Sequence, residues 1–288
     1  MYKAFYGLMR DPFGVSPDPY FFYPTPCHSE ALASLAYGVL RRRGFVVVTG
    51  EVGTGKTLLV RCLLEVLSKH KVAFAYVYNP MISVTEFLTH VINDLGLLPS
   101  ANHTKSESLS RLNNYLMERS RKNFTTALVV DEAQLLSWEL LEEIRLLTNL
   151  ETSEHKLLQI VLVGQPEFEQ KLDSWQLRQL KQRVGLRCSL RPLGLKELEG
   201  YIYQRLELAG ANSHAGSIFP AQTIAVIHDV SRGIPRLVNT ICENSLLSGF
   251  GQEKYQITPD IIREVAADLH LDRVTEVLSD RTFNSSKL

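Results

Sequence analysis

The chain has 288 residues, with 31 Lys+Arg balanced by 31 Asp+Glu, and 45% of it is hydrophobic. Balanced charge gives no global attraction to nucleic acid or acidic membranes, and the apolar content suits a well-cored globular chain of one large domain or two. Cys27, Cys62, Cys188 and Cys242 lie far apart with no CxxC or Cys/His cluster, which supports neither zinc nor a disulfide framework and fits a reducing cytosol.

Residues 1–26 are rich in aromatics and proline, among them Phe5, Tyr6, Phe13, Phe21 and Tyr23. Such a segment is too apolar to stay unfolded, and it is expected to lie ordered over the domain surface. Ser29–Arg43 reads as a helix with Leu32, Leu35, Ala36 and Val39 on one face. The basic run Arg41-Arg42-Arg43 reads as its solvated end. Apolar Gly44–Thr49 reads as a buried strand, and a helix is expected to open near Gly55. Val72–Tyr78 predicts a second strand, closed by Asn79-Pro80, with helices over Val84–Leu95 and Ser106–Ser120 either side of a polar connector around Pro99–Thr104. A third strand, Thr126–Asp131, precedes a helix over Glu139–Leu150. Leu157–Gly164 and Val184–Leu190 complete five strands. Strands alternating with helices predict a mostly parallel sheet covered on both faces.

From Gly194 the periodicity is helical throughout: Lys196–Ala209, Ala221–Ser231, Pro235–Leu247 and Pro259–Leu269, with a Gly/Ser/Asn-rich linker over Gly210–Pro220. The expected organisation is an N-terminal segment and first helix over 1–43 packed on a core of 44–193, a helical domain over 194–272 and a flexible tail over 273–288. The longest apolar run, Leu157–Val163, is broken by Gln159 and too short to cross a bilayer, and Met1–Tyr6 lacks the apolar core of a signal peptide. The expectation is a cytoplasmic chain with no direct membrane insertion.

The chemistry begins at Gly50-Glu51-Val52-Gly53-Thr54-Gly55-Lys56-Thr57, a phosphate-binding loop between a buried strand and an amphipathic helix that opens with Leu58 and Leu59. The glycines at 50, 53 and 55 free the backbone to approach an anion, and the amides and helix N-terminus form a positive nest. Lys56 is suited to the β- and γ-phosphates and Thr57 to Mg²⁺. Such a loop does not distinguish kinase, GTPase or ATPase. Asp131-Glu132, at the end of the third strand, points to hydrolysis: an aspartate there reaches the Mg²⁺ shell, and the glutamate after it can orient and deprotonate water. Gln165, at the tip of the fourth strand, would face the γ-phosphate, although a turn role for Gly164-Gln165-Pro166 is nearly as good a reading.

Downstream, Arg183, with Arg178 second, is a candidate arginine finger projecting from a short helix into a neighbouring subunit's site. A solvated surface role stays open for both. In Ser231-Arg232-Gly233-Ile234-Pro235-Arg236, proline presets a helix start and Arg236 would face the phosphates. A salt bridge unrelated to nucleotide is its alternative.

Taken together these motifs resemble an AAA+ ATPase: a P-loop α/β three-layer core with a C-terminal all-helical lid. More narrowly, the chain resembles the ExeA/GspA family of type II secretion ATPases and the related ATPases of exosortase and polysaccharide-export loci. The resemblance rests on Tyr2–Leu8, Asp11-Pro12-Phe13, Ser16–Pro19, His28–Leu32, Thr49–Thr57, Asp131–Gln134, Gln159–Glu167 and Gly233–Arg236, spread over residues 1 to about 270. It implies ATP and Mg²⁺, with Lys56 and Thr57 as Walker A, Asp131 and Glu132 as Walker B, Gln165 as sensor 1 and Arg236 as sensor 2. It also implies adenine enclosure near Tyr23–His28, and a restraint on the glutamate from Asn79. A homo-oligomer with a trans arginine finger, serving envelope secretion or export machinery and peripheral to the inner membrane through partners, is the expected setting. ExeA-type proteins commonly continue into a membrane segment and a peptidoglycan-binding domain; the sequence to Leu288 contains neither, so the expectation is the cytoplasmic module or a shorter relative. Similarity to ATPases that regulate transposition keeps an ATP-dependent DNA-binding regulator as the alternative.

Overall fold

The structure, a computed structural model, describes residues 1–97, 104–211 and 215–271. The expected flexible tail over 273–288 and most of the connector after Leu97 lie outside the described residues, as does part of the linker after Gly210. The chain forms two compact units, one of residues 24–191 and one of residues 1–23 together with those from Pro192 onward.

The first unit is built on a five-stranded sheet: β1 (Phe45–Gly50), β2 (Ala73–Val77), β3 (Thr126–Val130), β4 (Leu158–Gly164) and β5 (Leu186–Leu190), in the order β2-β3-β4-β1-β5. Every pairing is parallel. β1, β3 and β4 are buried along their whole length, as near-continuous Val/Leu/Ile runs must be when helices cover both faces. Each fully buried Leu or Val of these strands contributes about 1.5–3 kcal/mol. The flanking strands are less enclosed, and β5 alternates between half-buried and exposed positions. β2 leaves an edge, and helix Val84–Asp94 blunts it: the Tyr76 amide donates to Asp94 Oδ2 at 2.9 Å, and its carbonyl lies 3.1 Å from His90 Nε2.

Local chemistry sets the helix ends. Thr25 caps helix Pro26–Leu40 by accepting from the His28 amide, so the helix starts three residues earlier than its apolar periodicity alone indicates. Gly38, mid-helix, leaves room for β1: a Cβ there would stand 2.5 Å from Val46 Cγ2. Ser83 and Thr104 form capping boxes with Glu86 and Glu107 at the starts of helices Val84–Asp94 and Lys105–Arg121.

The second unit is helical: Leu195–Leu206, Ala221–Ser231, Pro235–Gly251 and Pro259–Asp268 pack around Ile202, Ile224, Ile241 and Ile262. Here the N-terminal segment departs from expectation. Residues 1–23 do not share a unit with the following helix; Tyr2, Tyr6, Phe13 and Phe21 enter the core of the helical unit. Arg205 explains the attachment. Its buried guanidinium donates to the Pro12 carbonyl at 2.6 Å and lies 5.1 Å from the Phe21 ring and 4.9 Å from that of Tyr201. Hydrophobic composition required these aromatics to be covered; it could not say by which unit.

Candidate functional site

β4 lies between β1 and β3, so three strand tips stand side by side. Register levels them: Thr49 of β1 is opposite Gly164 of β4, and Val130 of β3 is opposite Leu162. The residues that follow β1, β4 and β3 therefore share the C-terminal edge of the sheet, where open α/β sheets bind ligands.

The loop after β1 has the conformation its glycines imply, with separate causes. Gly53 and Gly55 adopt φ of +82° and +98°, which favour glycine. Gly50 instead supplies space, since a Cβ there would stand 2.8 Å from Thr54 Oγ1 and 3.0 Å from Leu190 Cβ. The buried Thr54 hydroxyl closes the loop by donating to the Glu51 carbonyl at 2.8 Å. Glu51 and Val52 are exposed at its crest, and Leu58 is half-buried in the first turn of helix Lys56–Lys69. His28, from the neighbouring helix, braces the loop: its ring spans Thr25 Oγ1, at 2.7 Å from Nδ1, and the Thr54 carbonyl, at 2.9 Å from Nε2. This gives His28 a structural part that the family resemblance had cast only as adenine enclosure. Tyr23 belongs to the other unit, where its ring packs on Tyr201.

Lys56 is 6% exposed, and its ammonium donates to the Gly50 and Glu51 carbonyls at 2.8 and 3.0 Å. Burial pushes its pKa down, while the carboxylates of Glu132, Asp131 and Glu51 oppose that shift. The Thr57 hydroxyl donates to Asp131 Oδ2 at 2.9 Å, joining the phosphate loop to the tip of β3. Asp131 is 3% exposed, and burial raises its pKa against the stabilising hydrogen bonds from Thr57 and from the Glu132 amide at 2.9 Å. The Tyr76 hydroxyl lies 3.4 Å from the same Oδ2, and burial with the Asp131 charge pushes that phenol up to about 12.

A desolvated carboxylate beside a hydroxyl is an all-oxygen donor pair of the kind Mg²⁺ takes. The residues fit that ion, with Thr57 and Asp131 as the groups that would hold it. Among the described residues no cluster of three or more His, Cys, Asp or Glu side chains offers an all-protein metal cage.

Glu132 sits in the left-handed region at φ 52°, ψ 41°, a conformation that costs a non-glycine residue about 1–2 kcal/mol. Its carboxylate is held by two amides: Gln134 Nε2 donates to Oε2 at 2.5 Å, and Gln165 Nε2 donates to the same oxygen at 3.3 Å. Gln165, at the tip of β4, thus stands beside Glu132. Asn79 does not. Its side chain accepts from the Met81 amide two residues on, in a local turn that satisfies it within its own loop. The partner that restrains Glu132 is Gln134, which motif matching had quoted only as part of Asp131–Gln134. Its signal was a carboxamide two residues past the glutamate, readable only once the turn Ala133–Leu135 is known to fold back.

The arginines lie elsewhere. Arg183 is half-buried: its guanidinium donates to Thr148 Oγ1 at 2.6 Å and Asn149 Oδ1 at 2.7 Å, at the end of helix Trp138–Leu147. Arg178 stacks on the exposed Trp175, 4.0 Å from its ring centre. Arg236 is exposed in the first turn of helix Pro235–Gly251 of the helical unit. The approach to that helix is fixed by Gly233 at φ +71°, where a Cβ would stand 2.0 Å from the Leu193 carbonyl oxygen.

A family model described as an AAA domain matches residues 40–172. General secretion pathway protein A of Aeromonas hydrophila is 40% identical over 257 residues, covering 89% of this chain and 46% of that protein. The chain therefore spans about half the length of this curated relative. Among solved structures, Cdc6p from Pyrobaculum aerophilum superposes with a TM-score of 0.71 at 20% identity, over 91% of this chain and 71% of that one. The Aeropyrum pernix ORC2 protein, solved as ADPNP–ADP complexes, gives 0.68 at 16% identity over 90% and 71%. The Thermotoga maritima RuvB Holliday junction branch migration motor gives 0.51 at 17% over 84% and 68%. At these identities the structural likeness speaks for the fold alone. Residues 40–172 are thus an AAA domain on a P-loop fold, in a chain that is a relative of general secretion pathway protein A.

Proposed function

We propose that the chain binds ATP with Mg²⁺ and hydrolyses it to drive a conformational or assembly change in an envelope secretion or export system. The observation that carries the hydrolytic reading is the junction of Thr57 with Asp131, next to a glutamate whose carboxylate is held by two amides. A phosphate loop alone would serve any nucleotide enzyme; a tethered glutamate next to the cation ligand is what water activation requires. The secretion setting rests on the name of the sequence relative, and the assembly change on the way phosphate-dependent contacts commonly switch structure.

In this reading the loop amides of residues 51–57 cradle the phosphates, and Lys56 exchanges its two carbonyl partners for phosphate oxygens. Thr57 and Asp131 hold Mg²⁺, which when bound screens the negative charge of the phosphates. Glu132 orients the attacking water and accepts its proton, and Gln165 supports the carboxylate from the tip of β4. Arg236 would sense the nucleotide from the helical unit. Arg183 is the proposed trans finger, with Arg178 as the substitute. Its present hydrogen bonds go to neutral oxygens, which orient the guanidinium.

Glu132→Gln should keep ATP binding and lower kcat by about 10²–10⁴-fold, the range of general base catalysis. Turnover at the parent rate would remove Glu132 from this role. Arg183→Ala should lose turnover alone yet recover part of it when mixed with Glu132→Gln protein, because one kind of mixed interface then has both groups intact. Absence of recovery in a mixture shown to co-assemble by sedimentation argues against the finger.

A further inference from the structure

Gln134 is oriented without ambiguity. Its Oε1 lies 3.0 Å from the backbone amide of Gln165, which can only donate, so Nε2 is the end that faces Glu132 Oε2 at 2.5 Å. With Gln165 Nε2 also on that oxygen, Glu132, Gln134 and Gln165 form a closed ring of three hydrogen bonds between the tips of β3 and β4. Among the described residues both side-chain donors converge on Oε2 and none on Oε1.

The surroundings are built for that carboxamide. Gly164 leaves its space: a Cβ there would stand 3.1 Å from Gln134 Oε1 and 3.0 Å from Phe168 Cβ. The turn that carries Gln134 is tied down by Lys171, whose ammonium donates to the Leu136 carbonyl and, at 3.5 Å, to that of Gln134, with the Trp138 ring 5.1 Å away. Ala133, between the glutamate and the glutamine, is fully buried.

We propose that Gln134 is a positioning residue for ATP hydrolysis: its carboxamide fixes the Glu132 carboxylate so that Oε2 is tied and Oε1 is the oxygen presented to water. Its second role follows from its other end. By accepting from the Gln165 amide, it couples the place of the glutamate to the strand tip that carries Gln165, so the base and the β4 tip move together. This rests on Glu132 being the base, and the test separates the two ideas.

The full chain is compared as Gln134→Met, which removes both ends of the carboxamide at similar size, and as Gln134→Glu, which keeps the acceptor for the Gln165 amide but turns a carboxylate towards Glu132. Each is made alone and in the Glu132→Gln background, and steady-state and single-turnover ATP hydrolysis are measured. Gln134→Met should lower kcat by about 10- to 100-fold, less than loss of the base itself, with KM for ATP within about twofold. Gln134→Glu should be slower still, although it keeps the backbone tie. In the Glu132→Gln background neither change should slow the residual rate further, which a general structural defect would do. Parent-level kcat in Gln134→Met, with Glu132→Gln inactive, overturns the role of Gln134 alone. An undiminished further loss in the Glu132→Gln background overturns it as well. Parent-level kcat in Glu132→Gln removes the base reading and this inference with it.

Discussion

Buried charged side chains have different surroundings in the two units. In the helical unit buried polar groups fasten chain segments: Arg205 holds the Pro12 carbonyl, the Tyr2 hydroxyl donates to Glu243 at 2.6 Å, and the Thr223 hydroxyl donates to the Ile257 carbonyl at 2.8 Å. The sheet unit has such fasteners too, as where Gln159 Oε1 accepts from the Gly44 amide at 2.8 Å, but it also sets charged groups at its strand tips, where burial drives Lys56 down and Asp131 up, both towards their neutral forms. Desolvation is common to both units. A polar group compensated by backbone or an aromatic face is a staple; a charged pair left short of solvation is a place where a charged ligand can bind.

That contrast can be broken most sharply at Gly233. Gly233→Ala places a Cβ against the Leu193 carbonyl at positive φ, and should destabilise the protein by about 3 kcal/mol or more, read as a lower denaturation midpoint. Next comes Lys56→Ala, which should weaken ATP binding by about 1.5–3 kcal/mol per charged hydrogen bond lost, measured by nucleotide titration, with the melting temperature little changed. Arg205→Met should cost about 2 kcal/mol of stability through its carbonyl bond and ring contacts, and leave ATP affinity unchanged in the folded protein. Weaker ATP binding in folded Arg205→Met would blur the distinction between staple and site.

The smallest effect has the opposite sign. The folded pKa of Asp131 is raised above its unfolded value, so its contribution to stability is fully present below the unfolded value and is lost as pH rises through the folded one. Asp131→Asn should therefore abolish Mg²⁺-dependent turnover yet stabilise the nucleotide-free protein at neutral pH by about 1 kcal/mol, as relief of a functional burden commonly does. A thermal melt across pH should show this gain shrinking in acid. Destabilisation at neutral pH would mean that the carboxylate serves the fold rather than the ligand.

The strands, the phosphate loop and the Asp131-Glu132 pair were legible because each is a local pattern: apolar runs bury, glycines permit positive φ, and adjacent carboxylates after a buried strand need a cation or water. Gln165 was legible as the residue beyond a buried strand. Arg183 was singled out by position, and nothing local told that Thr148 and Asn149 would take its guanidinium. The N-terminal aromatics announced that they must be covered, and the covering surface came from Arg205 and helices almost two hundred residues later.

What the sequence by itself determined is the set of residues at the site: a phosphate loop and the Asp131-Glu132 pair, on adjoining strand ends. These are properties of residue type and short-range spacing. Only the tertiary structure decided which side chain holds Glu132, because Asn79 and Gln134 are equally polar on paper. The choice depends on a left-handed residue, a tight turn and a missing side chain at Gly164, and together these bring the Gln134 carboxamide within 2.5 Å of the Glu132 carboxylate.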